Sequence, residues 1–247
     1  MQNIDHAHFD EIYSTHLYAR ANINQLKPNR WSLCTANSQV AGIGTKNSKW
    51  VSPRDLNIYA SYSFLTAKEN AEKTYCIPQL ACLQIVRILE SCGIDSKIKW
   101  VNDVLVNGRK ISGVLCESIA GVRGEDIAVI VSIGLNVNAS LLDLSGLEGI
   151  ATSMKMESNK QYDLQQLIMQ LSSSLLESVN HLFASGFSQF RPEISQKLER
   201  FDSRVVTLRS LSGSSMRGVI KDIGDSGELI VETERGVVAC FEGSILI

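Results

Sequence analysis

The sequence is informative first for what it lacks. Its 247 residues carry 24 basic and 26 acidic side chains, a net charge of -2. There is no charge excess of one sign to mark a nucleic-acid or membrane-surface protein. No apolar run approaches the roughly 18 residues of a membrane-spanning helix; the best, Ile127 to Val131, has a strand's length. No basic-then-apolar leader opens the chain. The six cysteines form no C-x-x-C pair and no histidine cluster stands near them, which argues against a disulfide framework or a zinc site and fits a reducing cytoplasm. A G-x-S-x-G elbow is missing, the four histidines lack zincin spacing, and no complete phosphate-binding glycine motif occurs. Nucleophilic and metal catalysis are therefore poorly supported, and binding energy with electrostatics is the better route to chemistry.

What is present is a globular composition, 44% hydrophobic and 20% charged. Phe9 to Tyr13 predicts a strand, and the alternation from Leu56 to Phe64 another. Pro78 opens a helical pattern that runs to Cys92, with Gly93 as its C-terminal cap. Ile98 to Val101 and Ala128 to Val137 predict strands. Val104 to Val106 and Ile111 to Ile119 predict a hairpin turning at Asn107-Gly108, the strongest short hairpin signal. Asp163 with Gln166 resembles a capping box ahead of a long amphipathic helix ending at Gly186. From about Phe201, four short β-rich runs separated by Ser/Gly-rich turns suggest a small β-barrel.

The hairpin permits a geometric expectation. A two-residue turn pairs Val106 with Arg109, Leu105 with Lys110 and Asp103 with Ser112, so Asp103, Leu105, Lys110 and Ser112 share a face. Asp103 and Lys110 then sit diagonally, roughly 7–8 Å apart at Cβ. Two readings are open: a solvated surface pair, or a cation fixed in a cavity where it can meet a phosphate. Gly42-Ile43-Gly44-Thr45-Lys46-Asn47 is likewise either a flexible loop or a close backbone approach to a ligand. Gly134-Leu135-Asn136-Val137-Asn138 ends a buried strand with amides that suit a base edge or a plain turn. Ser14-Thr15 can cap a helix or hold a small polar group.

Taken in order, these segments resemble the biotin protein ligases. The resemblance is carried by Ser14-Thr15-His16, Gln39 to Gly44, Lys49-Trp50-Val51-Ser52-Pro53, Lys99-Trp100-Val101-Asn102-Asp103, Arg109-Lys110-Ile111-Ser112-Gly113, Gly134 to Asn138 and Ala151-Thr152-Ser153. It covers about residue 8 to the C-terminus. It implies an α+β fold, a mixed β-sheet with helices on one face like that of the class II synthetases. The catalytic domain would span residues 1–200, and a C-terminal SH3-like β-barrel residues 201–247.

It also implies an ATP-dependent ligase that forms biotinyl-5′-AMP with Mg2+ and passes biotin to a lysine of a biotin carboxyl carrier protein, as in acetyl-CoA carboxylase. Ser14, Thr15, His16, Gln39, Gly42, Ile43, Gly44, Thr45, Lys110 and Gly113 would form the biotin site. Trp50, Asn102, Asp103, Lys110 and Asn136 would form the adenylate site, with Lys110 and Asp103 catalytic and no dedicated metal ligands.

Some positions depart from the family. Ile43 and Thr45 stand where its G-R-G-R-R-G pattern has arginines, His16 where it has asparagine, and Val101 where it has proline. The adenylate is therefore expected to be held less tightly, unless Lys46 or Lys49 compensates. A lipoate or octanoate transferase and a non-catalytic biotin-binding relative are the alternatives. The 13 residues before Ser14 leave no space for a winged-helix repressor arm, so no nucleic acid is expected, and no membrane; the protein is expected to be a cytoplasmic monomer or homodimer.

Overall fold

The computed structural model describes residues 4–210 and 213–246, and the expected domain limits at 1 and 247 lie outside them. Fourteen strands follow in chain order: β1 (Ile4–Ile12), β2 (Trp31–Gln39), β3 (Gly42–Ile43), β4 (Lys49–Trp50), β5 (Ile58–Thr66), β6 (Lys97–Lys99), β7 (Asp103–Val106), β8 (Arg109–Ala120), β9 (Ile127–Leu135), β10 (Val205–Arg209), β11 (Ser215–Ile223), β12 (Leu229–Thr233), β13 (Gly236–Cys240) and β14 (Ser244–Leu246). The α-helices are α1 (Thr15–Ala21), α2 (Ile77–Ser91), α3 (Met154–Ser158), α4 (Leu164–Ser185) and α5 (Arg191–Lys197).

Seven strands form the main sheet in the order β1-β2-β5-β9-β8-β7-β6. Only β1 and β2 run parallel, so the sheet is mixed as expected. Its central strands, β5 and β9, are buried along almost their whole length. The apolar stripes of α2 and α4 cover one face, where Leu80, Leu83, Leu171 and Leu175 share one buried core with Val129 and Val131. On that side Tyr62 hydrogen-bonds Ser172 of α4. Its neighbour Ser61 points the other way, to Thr15 of α1. The long helices thus share one face, and the short α1 with the loop 40–53 lies on the other.

Asp163 caps α4 by accepting from the backbone of Gln165 and Gln166, and Gly186 closes it with φ 82°. Pro78 stands in the first turn of α2, where its missing N–H costs nothing. No helix among the described residues is long and apolar enough to cross a membrane.

The C-terminal strands form a separate antiparallel sheet, β13-β12-β11-β10-β14. Five strands stand there where four were expected; β14 is too short to announce itself. This sheet docks on the main body through one continuous apolar core. At the seam Gly227 O accepts from Gln79 Nε2 at 2.7 Å and Trp100 Nε1 at 3.2 Å. A Cβ on Gly227 would come within 2.8 Å of Gln79, and its φ of 83° suits glycine.

Candidate functional site

The site lies on the α1 face, at the middle of the main sheet. Its floor is set by register. Lys99 pairs with Asp103, Asp103 with Gly113, Gly113 with Gly134 and Gly134 with Tyr59. Paired residues share a face, so two glycines lie side by side between a charged pair and a tyrosine. The missing side chains admit Trp50. A Cβ on Gly134 would stand 2.4 Å from the indole, and one on Gly113 would stand 2.9 Å from Lys110 Nζ and 3.1 Å from Trp50.

The hairpin geometry needs one correction. Val106 pairs with Arg109 and Leu105 with Lys110 as expected, but a bulge then shifts the register so that Asp103 meets Gly113. Ile111 is the extra residue, and beside it Lys110 stays paired with Leu105 while its outward backbone N–H donates to Ile150 O at 2.8 Å and its carbonyl accepts from Thr152 N at 2.9 Å. Ser112 consequently turns to the other face, buried, with its hydroxyl on Gly134 O at 2.6 Å. Gly113 takes the place foreseen for it. The bulge does not part the charges: Lys110 Nζ lies 2.6 Å from Asp103 Oδ1 and 5.4 Å from the Trp50 ring centroid.

A cleft of about 430 Å³ surrounds this floor. Ser14, Thr15, His16, Gln39, Ile43, Gly44, Thr45, Trp50, Asn102, Lys110 and Gly113 all line it. The indole lies across the floor. Two buried polar atoms in the wall have no hydrogen-bond partner among the described residues, Ser14 Oγ and Trp50 Nε1. Unsatisfied buried polar groups are uncommon and call for a cause; here both belong to side chains that line a cavity.

Other residues are occupied structurally. Asn102 Nδ2 donates to Val114 O at 2.7 Å. Gly42 is buried beneath Trp50 O and Gln39, where a Cβ would come within 2.6 Å, so it shapes the loop and is not part of the lining. Asn136, expected to reach a base, also lies outside the lining. Its Nδ2 donates to Thr152 O at 2.9 Å and its Oδ1 accepts from Asn57, which fastens the end of β9 to the segment that flanks Lys110. Trp100, in the most specific motif, is 2% exposed and serves the seam with the C-terminal sheet.

Lys46 and Lys49 were the two residues that could stand in for the missing arginines. Lys46 Nζ reaches Ser244 of β14 at 2.9 Å, and Lys49 is exposed outside the cleft. Lys99 was quoted within a motif but given no role from the sequence, and it faces Asp103 beside Lys110. Burial lowers its pKa, Asp103 opposes that, and Lys110 adds to it. Ser61 and Ser132 were also missed; a lone serine in an apolar strand such as Val129 to Ile133 was the available signal.

Comparison with known proteins places this architecture. Residues 9–138 match the pattern of the Biotin/lipoate A/B protein ligase family. Over 241 residues the chain is 30% identical to the bifunctional ligase/repressor BirA of Bacillus spizizenii, covering 96% of this chain and 72% of that protein. It is 29% identical over 217 residues to the biotin–[acetyl-CoA-carboxylase] ligase of Paracoccus denitrificans, covering 85% and 87%. A biotin protein ligase from Aquifex aeolicus, solved with biotin and ATP, superposes with a TM-score of 0.83 at 22% identity, over 100% of this chain and 98% of that one.

Proposed function

The chain belongs to the Biotin/lipoate A/B protein ligase family, and we propose that within it this protein is an ATP-dependent biotin protein ligase acting on a carrier domain. The observation that carries the reading is the Lys110–Asp103 pair at a cleft whose wall holds two unpartnered polar atoms. In the first half-reaction a biotin carboxylate oxygen attacks the α-phosphorus of ATP, the bond to the bridging oxygen breaks, and pyrophosphate leaves. Negative charge then gathers on the α-phosphate. Lys110, oriented by Asp103 and lying over an aromatic face, is the cation that meets it. In the second, a carrier lysine amine attacks the carbonyl carbon of the mixed anhydride, loses its proton, and AMP leaves.

Ser14, Thr15 and Gln39 are the polar groups for the ureido ring, Gly113 gives room, and Trp50 packs beside the nucleotide. Magnesium fits the donor set only as a partner of ATP. No group of three or more His, Cys, Asp or Glu able to hold a metal occurs among the described residues. Mg2+ is typically bound through one or two carboxylates plus substrate phosphates; Asp103 is the carboxylate at hand, and the ion would neutralise phosphate charge. The acceptor is a biotin carboxyl carrier protein of an acetyl-CoA carboxylase, in a reducing cytoplasm that suits six unpaired cysteines.

The test is transfer. With biotin, ATP and a carrier domain, the protein should release pyrophosphate and label the carrier lysine. Lipoate offered in place of biotin should not be transferred. Biotin bound without pyrophosphate release would assign a non-catalytic role, and labelling by lipoate a transferase one.

A further inference from the structure

One nearly buried carboxylate stands outside the cleft and yet touches both neighbours of its lysine. Glu157, in the short helix α3, leaves 10% of its side chain exposed and gathers three donors. Arg109 Nη2 donates to its Oε1 at 2.7 Å, and the Thr152 hydroxyl donates to the same oxygen. Asn107 Nδ2 donates to Oε2 at 3.3 Å. Local geometry brings these groups together. Ser153 caps α3 by accepting from Met156 N at 3.1 Å, and its own hydroxyl donates to Ala139 O at 2.6 Å. The helix turn then folds Glu157 back toward Thr152, with its N–H on Ser153 O at 3.1 Å. Across from it, Asn107 with φ 50° and Gly108 with φ 76° make the hairpin turn, so Asn107 and Arg109 meet the carboxylate from one tip.

The residue between these contacts is Lys110. Arg109 precedes it in the chain, and Thr152 N donates to its carbonyl at 2.9 Å. On one side Lys110 has Leu105 of β7, and the ladder slips at the next residue, Ile111. On the other side β9 does not reach it. The pairing of β8 with β9 begins at Ser112, and Asn136 N closes it on the Ile111 carbonyl. The segment 150–152 takes the place of a strand there, with Ala151 bridged to Lys110. A bulge disrupts the ladder beside it, so the aim of Lys110 depends on its outer neighbour. Glu157 joins the two pieces, holding Arg109 of the strand and Thr152 of the segment on one oxygen. The lysine ammonium rides on a flexible four-carbon stem, and its 2.6 Å contact with Asp103 needs a fixed base.

We propose that Glu157 is a positioning residue for Lys110: by clamping Arg109 to Thr152 it locks the stretch of backbone that aims the ammonium at Asp103 and the reacting phosphate. The proposal rests on the ligase reading, in which Lys110 is the catalytic cation. Glu157 does not line the cleft, so its influence on the reaction passes through Lys110. A misplacement of about 1 Å can cost about a hundredfold in rate, and loss of the clamp should cost about ten- to a hundredfold.

Pyrophosphate release by the whole protein with biotin and ATP, read as a double-mutant cycle, tests this. Glu157→Ala should slow release by the factor above. In a Lys110→Ala background the same substitution should add almost nothing, because the cation it aims is gone; a merely structural role would add its full factor. Glu157→Gln keeps an acceptor oxygen for Arg109 and Thr152 and should recover most of the rate. Arg109→Met removes one donor at a partly exposed site, and should slow release in the same non-additive way even where Glu157→Ala fails to fold. Circular dichroism at the assay temperature gives the folded fraction of each variant. Unchanged release in Arg109→Met and Glu157→Ala, or a full further loss in the Lys110→Ala background, overturns the role of Glu157. Glu157→Gln as slow as Glu157→Ala overturns it too, since charge and not position would then be what matters. Absence of release by the wild type overturns the ligase reading, and this role with it.

Discussion

Gly134 lies directly beneath the Trp50 indole, so close that a Cβ would stand 2.4 Å from Cε2 and 2.7 Å from Nε1. The glycine is needed for space and not for an unusual backbone angle, since its φ lies outside the left-handed region. Gly134→Ala should therefore act through the ring alone. Overpacking of this kind costs about 1–3 kcal/mol, and the displaced indole should weaken nucleotide binding by about tenfold or more. Titration with ATP measures the loss, and tryptophan emission reports the ring. Unchanged ATP affinity would remove Trp50 from the nucleotide site.

Lys110 supplies the fixed cation, and its side chain is 33% exposed, so truncation leaves no large cavity. Lys110→Ala should fold normally yet lower pyrophosphate release by about 10²–10³-fold, the scale seen when one donor to a developing charge is removed. A circular dichroism melt close to that of the wild type separates chemistry from folding. Normal pyrophosphate release would refute the role of Lys110.

The charged pair was legible in the sequence because Asn107-Gly108 fixes a hairpin and a hairpin fixes which residues face each other. The one-residue error at Ser112 lies at a bulge: Ile111 drops out of the β7 pairing and its carbonyl accepts from Asn136 N instead, a contact 25 residues away of which local pattern carries no trace. The same limit hid β2, whose Trp31–Gln39 run mixes serine, threonine and asparagine with apolar residues because those polar groups bond across to β1, Thr35 with His6 and His8, Asn37 with Asp10 and Ser38 with Glu11. Helices with long stripes, α2 and α4, were readable; α1, only seven residues long, announced little beyond Ser14 at its N-cap. The motif residues Trp100 and Asn136 were visible as motifs, but their structural duties depend on Gly227 and Thr152 and could not be read locally.

Ile43 and Thr45 line the cleft without charge, and Lys46 is committed to Ser244. The adenylate should accordingly leave faster than from relatives that carry arginines there. Thr45→Arg should restore a charge-assisted hydrogen bond, worth about 1.5–3 kcal/mol, and slow adenylate release by about one to two orders of magnitude. Chasing labelled biotinyl-5′-AMP with unlabelled ligand measures the rate. Equal off-rates in the variant and the wild type would show that another group already neutralises the phosphate.

The C-terminal sheet should loosen in acid through Asp222. This carboxylate on β11 accepts from Arg191 at 3.0 Å, from Ser195, and from Arg200 at 3.4 Å, joining the sheet to α5. Burial raises its pKa, but the Ser195 hydroxyl, the Ile223 backbone N–H and the two arginines outweigh it and hold the value below the ordinary 3.8. A carboxyl whose pKa is depressed by folding stabilises the folded state fully above its unfolded pKa and loses that contribution as pH falls through the folded one. The carboxylate is about one third exposed, so solvent screening keeps the effect modest. Asp222→Asn should cost about 1–2 kcal/mol at neutral pH and flatten the acid limb of stability below about pH 4. Urea unfolding followed across pH 3 to 7 shows both effects, and an acid limb as steep in the variant as in the wild type would place the sensitivity elsewhere.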